Sequence, residues 1–275
     1  MRESSNPAFS SLTKTVARGQ AGAHHYGQGQ MGADYGDNPY QSQVAADYRP
    51  MTVDDVVSKT GITLATIIVL AAVNFFIAVS VDPRLAMTLT IVGAIGGLIT
   101  VLVSTFGKKY GSAPVTLTYA AFEGLFVGGI SFMFTAPIQG VDAGALIMQA
   151  VLATLGVFIG MLFVYKSGAI RVTPKFTRFM SAALIGVLVL MLGNLVLSLF
   201  GLGFPLRDGG MLSIIFSLVC IGLAAFSFLI DFDQADRLVR AGAPAQYAWG
   251  VALGLAVTLV WLYTEILRLL SYFRD

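Results

Sequence analysis

The chain of 275 residues is 56% apolar and only 12% charged, about half the charged fraction of an ordinary soluble domain. Its net charge of +2 and the lack of any basic stripe with interleaved aromatics argue against a nucleic-acid partner. The single cysteine, Cys220, rules out an intrachain disulfide, a CxxC redox pair and a thiolate metal cage, and its apolar setting reads as a small buried hydrophobe.

Residues 1–50 are rich in Gly, Gln, Tyr, Asn and Asp and show no apolar periodicity. They cannot bury enough surface to offset the entropy of ordering, so a disordered tail is expected. Residues 1–10 lack an apolar h-region and none follows before the first long apolar run, so no signal peptide is read there. A short amphipathic piece at 52–58, with Asp54 and Asp55 suited to a helix N-terminus, is expected at the membrane surface.

Seven apolar runs follow, at 61–81, 85–106, 115–136, 143–165, 179–200, 211–230 and 247–272. A helix rising about 1.5 Å per residue needs about twenty residues to cross roughly 30 Å of hydrocarbon, which is the length of each run. Barrel strands would be about ten residues long and would alternate with period two. The pattern therefore predicts an all-α membrane protein, a seven-helix bundle occupying 51–275, with Pro83, Pro114, Pro137, Pro174, Pro205 and Pro244 punctuating the breaks. Four small-xxx-small pairs, Gly93/Gly97, Gly124/Gly128, Gly156/Gly160 and Gly250/Gly254, predict close helix packing within the bundle.

Orientation follows from the basic residues. Thirteen lysines and arginines fall on the side that holds residues 1–50, against Arg84, Arg207 and Arg274 on the other, with Arg268 inside the last run. The positive-inside rule then predicts a cytoplasmic N-terminus and a multi-pass protein of the cell membrane, with the lipid bilayer as its first partner.

Few groups remain to carry chemistry. Both histidines, His24 and His25, lie in the tail, so no histidine triad or histidine metal site falls within the runs. Every lysine lies outside the runs or at an edge, which excludes a retinal Schiff base. Without these residues, a Ser/Lys pair or a paired-Asp protease signature, no enzyme is expected and no cofactor is implied.

The acids are the exception. Glu123 lies near the middle of the third run, where a charge against lipid costs about 2.5–3.5 kcal/mol. It must face the bundle, protonated or paired, or be a neutral carboxyl bonded to a residue such as Asn74 or Asn194. Asp231, Asp233 and Asp236 close the sixth run; Asp233 and Asp236 share a helix face, with Asp231 rotated away from Asp233. They form either a solvated helix end or, because the negative helix C-terminus opposes them, a site for a basic partner or a cation. Asp231 abuts the apolar run most directly and leads the three. Glu265 and Arg268 stand one turn apart in the seventh run, where a local ion pair accounts for both. Alternatively Glu265 faces a second acid, the two sharing a proton or holding Ca²⁺.

Five segments carry a family resemblance: Arg2-Glu-Ser-Ser-Asn-Pro-Ala-Phe, Met51-Thr-Val-Asp-Asp-Val-Val-Ser-Lys-Thr-Gly, Tyr119-Ala-Ala-Phe-Glu-Gly-Leu-Phe-Val-Gly-Gly-Ile-Ser, Asp231-Phe-Asp and Leu262-Tyr-Thr-Glu-Ile-Leu-Arg-Leu-Leu. With them the chain resembles the Bax inhibitor-1 family, in its bacterial branch, with a Gly/Gln-rich N-terminal extension. The resemblance implies seven helices with the last at the centre. It also implies a pH-sensitive Ca²⁺ leak governed by two acids, which map onto Asp231 and onto Glu265 in place of the more usual Asp of a Leu-Tyr-x-Asp pattern.

The leading expectation is thus a cation leak channel gated by Asp231 and Glu265, which would also be the Ca²⁺ ligands, with Glu123, Asp233 and Asp236 as accessory acids and Arg268 as an ion-pair partner. The spacing between the two gate acids is about ten residues longer than is typical of the family. A topology count puts Asp231 at one face and Glu265 more than halfway across, leaving Glu123 and Asp233 as alternative partners. The competing expectations are a regulatory protein that binds a membrane protease or stress factor through its tail, and a proton-coupled transporter. The transporter reading lacks the mid-membrane Gly/Pro breaks of discontinuous helices.

Overall fold

The computed structural model describes residues 49–107, 109–135, 143–201 and 206–274, the side chain of Leu199 excepted. The tail expected to be disordered, with His24 and His25, lies outside the described residues apart from Arg49 and Pro50; so do Lys108, Pro137 and Pro205. Seven α-helices are present among the described residues: α1 (Val53–Ser80), α2 (Pro83–Phe106), α3 (Ala113–Thr135), α4 (Ala143–Ser167), α5 (Pro174–Leu199), α6 (Met211–Arg240) and α7 (Ala248–Tyr272), the last entered through a short 3₁₀ turn at Ala245–Tyr247. All seven are long and apolar enough to cross a membrane.

The helix starts are chemically specified. At α1, Thr52 Oγ1 accepts from the Asp55 amide at 3.2 Å while Asp55 Oδ2 accepts from the Thr52 amide at 2.9 Å, a reciprocal capping box. The piece 52–58 is therefore the first turns of α1, continuous with the span, and not a separate surface helix. α2 and α5 open on Pro83 and Pro174, whose missing N–H costs nothing at that position. Asp82 caps the Arg84 amide at 2.8 Å and Thr173 the Phe176 amide at 3.2 Å.

Packing centres on α7, of whose membrane window 83% is buried against at most 44% for any other helix. It is one uninterrupted helix, ringed by α1, α3, α4 and α6. α2 closes on α3 from outside, and α5 packs chiefly on α6. In the α1–α2–α3 layer glycine does the spacing. A Cβ on Gly124 would lie 2.7 Å from the Ile67 carbonyl oxygen, and one on Gly128 would collide with that of Ala71. Buried Asn74 ties the three helices together, its amide donating to Leu125 O on α3 at 2.6 Å and to Thr90 Oγ1 on α2 at 3.1 Å. By contrast a Cβ on Gly156 or Gly160 would meet nothing within 4 Å among the described residues, so that pair gives no close helix approach there.

Helix α6 runs 30 residues, about 45 Å, while about twenty residues suffice to cross the hydrocarbon. Asp231 stands about 30 Å from the start of this helix, with two or more helical turns continuing beyond the apolar run. The expected helix end at 230 is in fact an interior position, because Arg237 and Arg240 supply the C-terminal turn with cations that favour the dipole.

Candidate functional site

The even helices run against the odd ones, so α7 joins two distinct ends. At the first end stand the start of α1, the end of α2, the start of α3, the end of α6 and the start of α7. Two backbone hydrogen bonds fix this end, from Met51 N to Ala243 O at 2.7 Å and from Ala245 N to Arg49 O at 2.8 Å. Lys59 reinforces them, donating to the Ala245 carbonyl and standing 5.8 Å from the Trp249 ring.

Asp231 lies here, turned toward α7. Its Oδ2 accepts a 2.7 Å hydrogen bond from Thr258 Oγ1, so the acid of α6 is bonded to the central helix. The carboxylate lines a cavity of about 180 Å³ with Ser104 and Thr105 of α2, Tyr110 of the α2–α3 turn, Gln234 of α6, and Gly250, Val251, Leu253 and Gly254 of α7. Bare Gly254 has nothing within 4 Å of where a Cβ would sit, which leaves room for this space beside the acid. Gln234 Nε2 donates to the Tyr110 hydroxyl at 3.3 Å, and burial pushes that phenol up to about 12, keeping it neutral at physiological pH.

Glu265 lies further along α7, toward the second end. Its Oε1 accepts from Arg268 Nη1 at 2.8 Å, the local pair read from the sequence, and from Arg207 Nη2 at 3.1 Å. Glu265 is 3% exposed and each arginine 15%, so the three are largely withdrawn from water. The guanidinium groups are backed by rings, Arg207 lying 5.6 Å from Phe216 and Arg268 5.1 Å from Phe134, where the ring quadrupole offsets part of the lost hydration. Two cations against one carboxylate leave the cluster with one net positive charge.

Asp231 and Glu265 are not brought together. Thr258, which holds Asp231, precedes Glu265 by about 10 Å along α7, and each acid has its own partners. Glu123 belongs to neither site. It sits on α3 beside the Tyr119 hydroxyl, one turn earlier, with its Oε2 3.0 Å from where a Gly97 Cβ would be. Asn74 is engaged with α2 and α3 backbone and Thr90, and Asn194 accepts from the Leu206 amide at 3.4 Å, so neither asparagine is its partner. Asp233 and Asp236 form i,i+4 pairs with Arg237 at 2.7 Å and Arg240 at 2.8 Å. These exposed pairs are worth about 0.3–0.5 kcal/mol each.

Sequence reasoning missed Arg207, Thr258, Tyr110 and Gln234. The one available signal was Arg207, a lone cation in a short break on the side poor in basic residues. Among the described residues no three His, Cys, Asp or Glu side chains gather into a metal-binding group.

Fold and composition define an integral, multi-pass membrane protein whose central helix engages two polar sites, one at Thr258 and one about 10 Å further along at Glu265. The chain belongs to the family described as Bax inhibitor 1 like, whose model matches residues 6–275. A search among curated proteins returned no match.

Proposed function

We propose that the protein is a pH-responsive cation leak, with Ca²⁺ the first candidate ion, and that α7 engages the controlling groups at two heights, Thr258 and Glu265. The supporting observation is the Asp231 carboxylate, bonded to the central helix and lining a cavity whose wall includes the polar residues Ser104, Thr105, Tyr110 and Gln234. Bilayers tolerate such acids mainly where they pair, face water or conduct, and hard oxygen donors suit Ca²⁺. The positive-inside rule assigns this end to the cytoplasm of a cell membrane. Charged, Asp231 attracts a cation and holds Thr258 by a strong hydrogen bond. Protonated, it loses the attraction and weakens the tie between α6 and α7, which shifts a closed–open equilibrium. The net positive Arg207–Glu265–Arg268 cluster opposes cation passage and holds the conformation described closed. On this reading the protein conducts and does not catalyse.

The test is Ca²⁺ entry into liposomes holding the purified full chain and an encapsulated indicator, across about pH 5 to 8, the range in which a perturbed carboxyl titrates. Asp231→Asn is expected to slow entry and flatten its pH dependence. If rate and pH profile both survive that substitution unchanged, the reading fails.

A further inference from the structure

One side chain, Tyr110, lines both the partly open cavity beside Asp231 and a second, open cleft of about 570 Å³ at the same end, lined by Lys109, Gly111, Ser112, Gln246, Tyr247 and Trp249 among others. We propose that Tyr110 is a lid: its ring partitions the Asp231 cavity from this cleft, and its outward swing joins the two.

Three features fit a side chain seated but not built in. Tyr110 stands second in a turn closed by the hydrogen bond from Ser112 N to Lys109 O at 3.1 Å, with Gly111 third at φ +87°. That left-handed position is open to glycine at no steric cost, so the turn sets the ring's direction independently of the helices. The ring then rests on α7 where Gly250 has no side chain; a Cβ there would come within 2.6–2.7 Å of its Cζ and Cε atoms. Its remaining ties are weak: the 3.3 Å hydrogen bond from Gln234 and an edge-on contact with Tyr247 at 5.7 Å between centroids. A ring 37% exposed already has water on its outer side.

As an ion entrance the lid rests on the reading of Asp231 given above; as a lid it is tested without ion flux. Cys220→Ala removes the native thiol and Ser104→Cys places a reporter in the cavity wall, Ser104 being 5% exposed. The full chain in nanodiscs, where both faces are accessible, is treated with a small trimethylammonium methanethiosulfonate and the modification rate read by mass. Adding Tyr110→Ala is expected to raise the rate about tenfold or more, the change in open population that follows loss of one ring contact and one hydrogen bond. Gly250→Ala, which pushes the ring off its seat without removing it, should do the same, and Tyr110→Phe much less. A reporter at Thr135, buried toward the other end of α3, should not change. Equal rates with and without Tyr110, or acceleration at Thr135 as large as at Ser104, would overturn the lid. Absence of Ca²⁺ flux from wild-type liposomes would instead overturn the leak reading and leave the lid standing or falling on its own rates.

Discussion

The hydrogen bond between Thr258 and Asp231 makes a quantitative demand on the contact between α6 and α7. Thr258→Val keeps the branched shape at a position 7% exposed but removes the only side-chain hydroxyl bonded to that carboxylate among the described residues. Hydrogen bonds to charged groups contribute about 1.5–3 kcal/mol. The orphaned carboxylate lines a partly open cavity that water can enter, so the lower end applies: about 1.5 kcal/mol of destabilisation. Asp231→Ala removes the acceptor, and in that background Thr258→Val should cost almost nothing, because the hydroxyl then retains only the Gly254 carbonyl at 3.3 Å. The double-mutant cycle therefore predicts a coupling energy of about 1–1.5 kcal/mol. The assay is reversible unfolding of the full chain in mixed micelles, monitored by helix content. A coupling below about 0.5 kcal/mol, the additivity expected of independent sites, would show that the two groups do not hold the helices together.

Other expectations follow from the same geometry. Arg207→Gln makes the second cluster neutral; a unit charge about 6 Å from a passing cation at an effective dielectric near 20 costs roughly 3 kcal/mol, so cation entry into liposomes should rise by up to about a hundredfold. Gly128→Ala drives a Cβ into the Ala71 carbonyl and should destabilise by about 1–3 kcal/mol in detergent melts, whereas Gly156→Ala, with open space around it, should be neutral or stabilise by about 0.5–1 kcal/mol. Hydrogen bonds from the Gly210 amide and the Ser213 hydroxyl hold the Asp208 carboxyl below its ordinary value. A depressed folded pKa stabilises above the unfolded value of about 3.9 and is lost as pH falls through the folded one. Asp208→Asn should consequently leave any response between about pH 5 and 8 untouched, as the liposome assay would record.

Legibility in the sequence tracked the range of the interaction. Helix number and type were readable because a hydrocarbon slab imposes length and continuity on each segment separately. The Glu265–Arg268 pair was readable because i,i+3 is a local rule. Hydropathy misplaced the start of α1 and the end of α6, since both extend as polar turns stabilised by caps and terminal charges. The residues that complete the sites were invisible for a different reason. Arg207 reaches Glu265 across 58 positions, Thr258 reaches Asp231 across 27, and Gln234 reaches Tyr110 across 124. No periodicity encodes such pairs; the burial of α7 at the centre creates them.

That burial also changes what the two acids can do. A shared site would make Asp231 and Glu265 one titrating unit, with a common proton and direct repulsion. Placed about 10 Å apart along α7, they communicate only through motion of the helix that both engage. Asp231 pulls on α7 through Thr258 from α6, and Arg207 pulls on it through Glu265 from the segment entering α6. One anchor is thus on α6 and the other on the segment that leads into it, and together they clamp α7 at two heights. Releasing one lets α7 tilt about the other; releasing both frees it to slide or rotate. Substitutions at Thr258 and Arg207 should consequently combine more than additively in any assay that reads opening, although the two residues share no contact.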